Sequence, residues 1–90
     1  MNEAEEARVM RDALHFMLRA ALLEIRASET VHAARKIADV FHVLPSALLQ
    51  CSTKEDYEAE LRGLLKKAAN HGLADYVEKL RDVAILQIKS

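Results

Sequence analysis

The segment from Glu3 to Ala27 is the feature that most limits how this chain can fold. Its spacing predicts one continuous helix that is apolar over more than half of its circumference. An ordinary surface helix has an apolar stripe of about 100°, whereas the apolar arc of this helix is about 220° wide. Such a helix must be covered on two sides. It therefore lies either at the centre of the monomer or between the monomer and a second copy.

One flank of this helix is a row of apolar residues spaced seven apart, Val9, Phe16 and Leu23. If a second copy covers that flank, this row is the self-association surface. Glu24 interrupts the apolar arc. Because a buried carboxylate is costly unless it is paired or protonated, Glu24 either reaches water near the helix end or meets a cation from another segment.

The size and composition of the chain indicate a small helical domain. Its 90 residues are enough for one core, so we expect a single domain over residues 1–90. Only two Gly and one Pro are present, which favours helices with short connections over β-sandwiches and barrels. The net charge of −1 supplies no bulk positive field for nucleic acid or anionic lipid.

The location predicted from the sequence is the cytoplasm. No apolar run approaches the roughly 18 residues of a membrane-spanning helix. The N-terminal region is acidic, the opposite of a secretory signal. Cys51 is the single cysteine, which excludes an intramolecular disulfide, and we expect it to be a buried structural thiol.

A second helix and a short helical piece are predicted to follow the first helix. The second helix covers Val31 to Leu44 and is capped by Ser28, with Thr30 as the competing choice. It stops at Leu44 or just before, because Pro45 disfavours helical geometry at the residue preceding it. One or two helical turns are then expected between Ser46 and Cys51.

The third helix carries a capping box at its start, formed by Ser52 with Glu55 or by Thr53 with Asp56. It ends at Gly72, which is free to adopt the left-handed cap conformation.

The last helix runs from Leu73 to Ile88, with Val83 on its inner face and Ile85 and Leu86 pointing outward. Together these elements predict an all-α fold. The expected architecture is an antiparallel up-down four-helix bundle with a short extra helical turn after Pro45.

No motif in the sequence supports catalysis, and we expect no enzyme activity, no cofactor and no metal. No two histidines have His-x-x-x-His spacing, and the paired Glu-x-x-His set of a di-metal bundle is missing. Two glycines cannot form a phosphate-binding loop. Ser46 lacks the glycines of a nucleophile elbow.

The run from Ile37 to Leu49 has the apolar spacing of a helix-turn-helix, which makes a DNA-binding regulator the alternative function. The usual turn glycine is replaced by His42. The segment that would read the DNA, Ser46 to Gln50, contains no Arg or Lys. This alternative therefore ranks second.

Ala38-Asp39-Val40-Phe41-His42-Val43-Leu44-Pro45 resembles the Ala-Asp-x-x-His-Asn-Leu-Pro signature of small helical bacterial proteins that have no assigned activity. Val43 stands where that signature has Asn. The resemblance implies a bacterial source and an interaction protein, and it transfers no catalytic residue. From the residues alone, Asp39 and His42 share one face at a helix end, where His42 can bond the last carbonyls.

The function predicted from the sequence is a non-catalytic protein–protein interaction module, acting as a regulator, an adaptor or an immunity-type inhibitor. We expect a homodimer and a protein partner, with no small-molecule substrate, no membrane and no nucleic acid. The partner is expected on the polar face around Arg35, Asp39 and His42, and self-association on the row formed by Val9, Phe16 and Leu23.

Overall fold

The structure is a computed structural model, and it describes residues 2–90. Over this range the chain is helical and has no strand, so the all-α prediction is confirmed. There are five helices: α1 (Glu3–Ala27), α2 (Val31–Phe41), α3 (Leu44–Leu48), α4 (Lys54–Asn70) and α5 (Ala74–Lys89). The four long helices pack compactly, and α3 is the short additional helix.

Helix α1 lies at the centre of the packing and contacts each of the other four helices. Its residues Leu14, Met17 and Ala21 have no exposed surface. The other helices cover most of the wide apolar arc of α1, while Leu22 and Leu23 near its end remain exposed. Glu24 is exposed although α1 continues to Ala27, so this carboxylate reaches water without any fraying of the helix.

The first two helices are defined by their caps. The Asn2 side chain accepts a hydrogen bond from the Glu5 N–H at 2.8 Å, which begins α1. Thr30 Oγ1 accepts from the Ala33 N–H at 3.1 Å and is the N-cap of α2. The choice of Ser28 for this cap was wrong, because the Ser28 hydroxyl instead donates to the Glu24 carbonyl at the end of α1.

Helix α2 ends at Phe41, earlier than predicted, and α3 begins at Leu44 rather than Ser46. Proline explains the break. Pro45 has no N–H to donate to the Phe41 carbonyl, so the hydrogen-bond ladder of α2 cannot continue. His42 and Val43 form the turn between the two helices.

Thr53 and Asp56 form the capping box that begins α4, so the pair Ser52 and Glu55 was the wrong choice. Asp56 Oδ2 accepts from the N–H groups of Ser52 and Thr53, both at 3.1 Å. These two N–H groups lower the pKa of the Asp56 carboxyl. At the other end of the helix, Gly72 has φ +71°, which confirms the predicted left-handed cap.

A single apolar cluster contains side chains from all five helices. Its fully covered members outside α1 include Ala68 of α4 and Val77 and Ala84 of α5. One prediction about α5 was wrong: Ile85 packs against the core, whereas Val83 is largely open to solvent. The two side chains lie about 100° to either side of the centre of the buried face, so helical spacing alone could not separate them.

Candidate functional site

The three predicted partner-binding residues are all exposed: Arg35 and Asp39 lie on α2, and His42 is the residue that follows its last turn. The opposite face of the same helix is buried through Ile37 and Val40. α2 is therefore held from its apolar side, while its polar side chains face solvent.

The bond that joins His42 to Asp39 runs to the backbone and not to the carboxylate. His42 Nδ1 lies 2.9 Å from the Asp39 carbonyl oxygen, as expected of a histidine that closes a helix end. The ion pairs found within residues 2–90 do not include Arg35 with Asp39. The Asp39 carboxylate and the Arg35 guanidinium thus remain directed at solvent, four residues apart on one helix.

The proposed self-association row is divided by the structure. Val9 is 6% exposed, and Phe16 is half-buried against the core. Leu23 is 64% exposed. The chain itself therefore covers one end of the row, and only the end near Leu23 is open to another molecule.

Sequence reasoning missed a groove between α4 and the corner where α2 passes into α3. The groove consists of two clefts. The first, of about 350 Å³, has Val40, Val43 and Leu44 along one wall and α4 along the other. The second, of about 440 Å³, lies nearer the start of α4 and shares Val43 and Glu60 with the first, so the two clefts adjoin. We call the pair of clefts the α4 groove. The wall opposite α4 is apolar in the first cleft and includes the polar Ser46 and Gln50 in the second, and the α4 side carries charged residues.

One stripe of α4 forms its side of the α4 groove. Its members recur at three- and four-residue spacing and therefore share one face of the helix. They are Asp56, Ala59, Glu60, Gly63, Lys66, Lys67 and Asn70. The acidic members lie in the N-terminal half of the stripe and the basic members lie in the C-terminal half, with Gly63 between them.

Gly63 has no role in the packing of the single chain. A Cβ added at this position would meet no atom within 4 Å, and Gly63 does not have the positive φ seen at Gly72. Glycine in a helix interior costs about 0.5–1 kcal/mol relative to alanine. The helix therefore carries a destabilising residue, at the centre of the groove, for which the chain's own contacts give no reason.

A third cleft, between the start of α1 and the start of α4, holds charges that already bind one another. Lys54 Nζ lies 2.7 Å from Glu6 Oε2 and 3.6 Å from Glu58 Oε1. The carboxylate of Glu6, followed by that of Glu58, raises the pKa of the Lys54 ammonium, and Lys54 in turn lowers the pKa of Glu6. This cluster joins α1 to α4 and engages Lys54, while Lys89 of α5 lines the same cleft.

Cys51 has the surroundings of a structural thiol. It is half-buried, and its Sγ donates to the Ala47 carbonyl at 3.2 Å. Burial raises the pKa of the thiol, so the reactive thiolate is disfavoured. The neighbouring Tyr57 hydroxyl donates to the Cys51 carbonyl at 3.2 Å, which fixes the chain between α3 and α4.

Metal-ligating side chains are not grouped in the part of the chain that the structure describes: no three His, Cys, Asp or Glu residues come together there. None of the helices in residues 2–90 combines the length and the apolar character needed to cross a membrane. The segment that would read DNA, Ser46 to Gln50, spans the end of the five-residue helix α3 and the turn after it, where Leu49 is 88% exposed.

Comparisons with protein-family models, with curated proteins and with solved structures gave no match to this chain. The functional interpretation therefore depends on the geometry of its own residues. The position of Gly63 in a helix interior, four residues after Ala59, was the sequence signal that could have indicated the α4 groove.

Proposed function

We propose that this protein is a non-catalytic protein–protein interaction module, which acts as a regulator, an adaptor or an immunity-type inhibitor in the bacterial cytoplasm. The observation that carries this proposal is the outward face of α2. Arg35 and Asp39 present opposite charges there, on a helix whose other face is anchored in the core. Charged groups on a rigid helix give specificity and orientation to a partner of complementary charge.

Substitution of Asp39 by alanine tests this face more directly than substitution of His42. The bond from His42 goes to the Asp39 carbonyl, so Asp39→Ala removes the carboxylate and leaves that bond in place. The assay measures whether the chain retains a partner protein. We expect the unaltered chain to retain it and the variants Asp39→Ala and Arg35→Ala to lose it, with no change in melting temperature. The matched control is Arg19→Ala, which removes an exposed charge from α1.

The outcome for His42→Ala separates two roles. A partner-binding histidine gives lost capture at constant melting temperature, whereas a helix-terminal histidine gives a lower melting temperature with capture retained. If Arg35→Ala, Asp39→Ala and Arg19→Ala all behave alike, the face around Arg35 and Asp39 is not the binding site and the proposal for this face fails.

For the four long helices we propose an antiparallel up-down order. Two proximities support it. Lys54, at the start of α4, forms an ion pair with Glu6 near the start of α1. This fits an up-down order, because the first and third long helices of such a bundle run in the same direction. Burial raises the pKa of Tyr76 near the start of α5, and the negative charge of Glu24 near the end of α1 raises it further. The proximity of these two residues fits antiparallel α1 and α5. Spin-label distances between the helix ends test this order.

The proposal of a DNA-binding regulator has less support. α3 has five residues and contributes no Arg or Lys, the side chains that most often contact phosphates and guanine. A gel-shift at low salt decides between the two functions. Binding that weakens steeply as salt is added would favour DNA.

A further inference from the structure

We infer that the α4 groove is the interface between two copies of this chain, which meet through antiparallel α4 helices centred on Gly63. This inference rests on the homodimer expected from the sequence, and it assigns the interface to a surface other than the row of Val9, Phe16 and Leu23. It is carried by the distribution of charge along α4 and by the open apolar surface beside it.

The charges along α4 are complementary to themselves. Glu60 lies three residues before Gly63 and Lys67 lies four residues after it, about 4.5 and 6 Å along the helix axis. Both project to the same side of Gly63, by about 60° and 40°. In an antiparallel pair related by a twofold axis, Glu60 of one copy therefore lies opposite Lys67 of the other.

Twofold symmetry makes this pairing occur twice in one dimer, since an isologous interface repeats every contact. Asp56, seven residues before Gly63, lies on the same side of the stripe and adds a second carboxylate close to the same lysine. A parallel arrangement would instead bring like charges together along the whole stripe. The charges along α4 therefore favour a second copy of this chain as the partner, with its α4 antiparallel to the first.

The groove also leaves apolar surface for the second copy to cover. Val43 lines both clefts and is 48% exposed. Gly63 and Ala59 are exposed on the facing stripe, and neither has a side chain large enough to hold another helix away. The empty space around Gly63 gives the close backbone approach that this arrangement requires, and so explains a glycine that the single chain does not need.

The test is a charge exchange measured by analytical ultracentrifugation of the full chain, from about 1 µM to about 1 mM, a range that includes weak dimers. We expect Glu60→Lys to raise the dissociation constant at least ~10-fold, because it places a lysine opposite Lys67 of the other copy. We expect Lys67→Glu to do the same. The variant that carries both changes restores dimerisation to within about threefold of the original, because the pair is rebuilt with reversed charge. Glu78→Lys, an equal charge change on α5, is the control.

A second variant tests the close approach independently of charge. Gly63→Gln puts a long, helix-favouring side chain at the centre of the stripe, and we expect it to abolish the dimer without lowering the melting temperature. The control Ala69→Gln adds the same side chain to an exposed position of α4 outside the stripe. It should leave the dimer intact.

The outcomes separate the inference from the broader proposals. A chain that stays monomeric at all concentrations overturns the dimer and its interface together, while the partner site on α2 is tested on its own by capture. A dimer that Leu23→Lys disrupts and Glu60→Lys does not is held by the row of Val9, Phe16 and Leu23, which overturns the inference alone.

Discussion

Replacement of Leu14 by alanine should destabilise this protein far more than the same replacement of Leu23. Both residues are leucines in the interior of α1, nine positions apart. Leu14 has no exposed surface, whereas Leu23 is 64% exposed. The pair therefore measures how completely the rest of the chain covers each side of the central helix.

The magnitudes follow from burial. Leu→Ala removes the equivalent of about three CH₂ groups, which at about 0.8 kcal/mol each is a transfer loss of about 2.4 kcal/mol at Leu14. The cavity left in a packed core raises the total loss to about 3–4 kcal/mol. At Leu23 only about a third of that surface is covered, so the loss is about 0.8 kcal/mol by the same transfer scale. The better helix propensity of alanine reduces it further.

The assay is urea unfolding followed by circular dichroism, with the midpoint and the slope fitted separately. A chain of this size has a free energy of unfolding of about 5–13 kcal/mol, so Leu14→Ala leaves a measurable but much weaker fold. Its midpoint should fall at constant slope, since the surface exposed on unfolding hardly changes. Losses that are equal at Leu14 and Leu23, or larger at Leu23, would refute the central position of α1. A loss at Leu23 that grows with protein concentration would show that a second copy covers it.

Three further outcomes are expected. Thr53→Ala removes the N-cap of α4 and should lower the free energy of unfolding by about 1 kcal/mol in urea titrations, whereas Ser52→Ala should change it little. Gly63→Ala should raise the stability of the folded chain by about 0.5–1 kcal/mol in the same assay, because an added Cβ meets nothing; a lower stability would mean that the groove around Gly63 is narrower than described. The folded pKa of Asp56 lies below its ordinary value of 3.8, so its contribution to stability is complete above that pH and is lost as the pH falls through the lower folded value. Asp56→Asn should therefore lower stability at neutral pH and make it less sensitive to pH in the acid range, and an unchanged acid dependence would exclude the capping carboxylate as its cause.

The sequence predicted the helices well where one local signal acted alone. The bounds of α1 were predicted to the residue, because its helical spacing continues to Ala27 in spite of Glu24 and ends before Ser28. The errors fell where two local signals competed. Ser52 and Thr53 both start a capping pattern, and Thr30 and Ser28 both precede α2. The unused Ser28 directs its hydroxyl to the Glu24 carbonyl of the preceding helix, and the unused Ser52 contributes its N–H, which donates to Asp56 of α4.

The α4 groove could not be predicted in the same way, because its two walls come from segments that only tertiary packing brings together. Val43 is a turn residue two positions before Pro45, and its exposure depends on where α2 breaks. Yet the stripe on the other wall was complete in the sequence, as acidic and basic residues at helical spacing on either side of a glycine. A helix-breaking residue in the middle of a charged face is costly in a monomer, and folding alone does not favour it. Such a residue is explained when another helix must approach there, so Gly63, rather than any apolar residue of α1, is the sequence signal on which the proposed dimer interface rests.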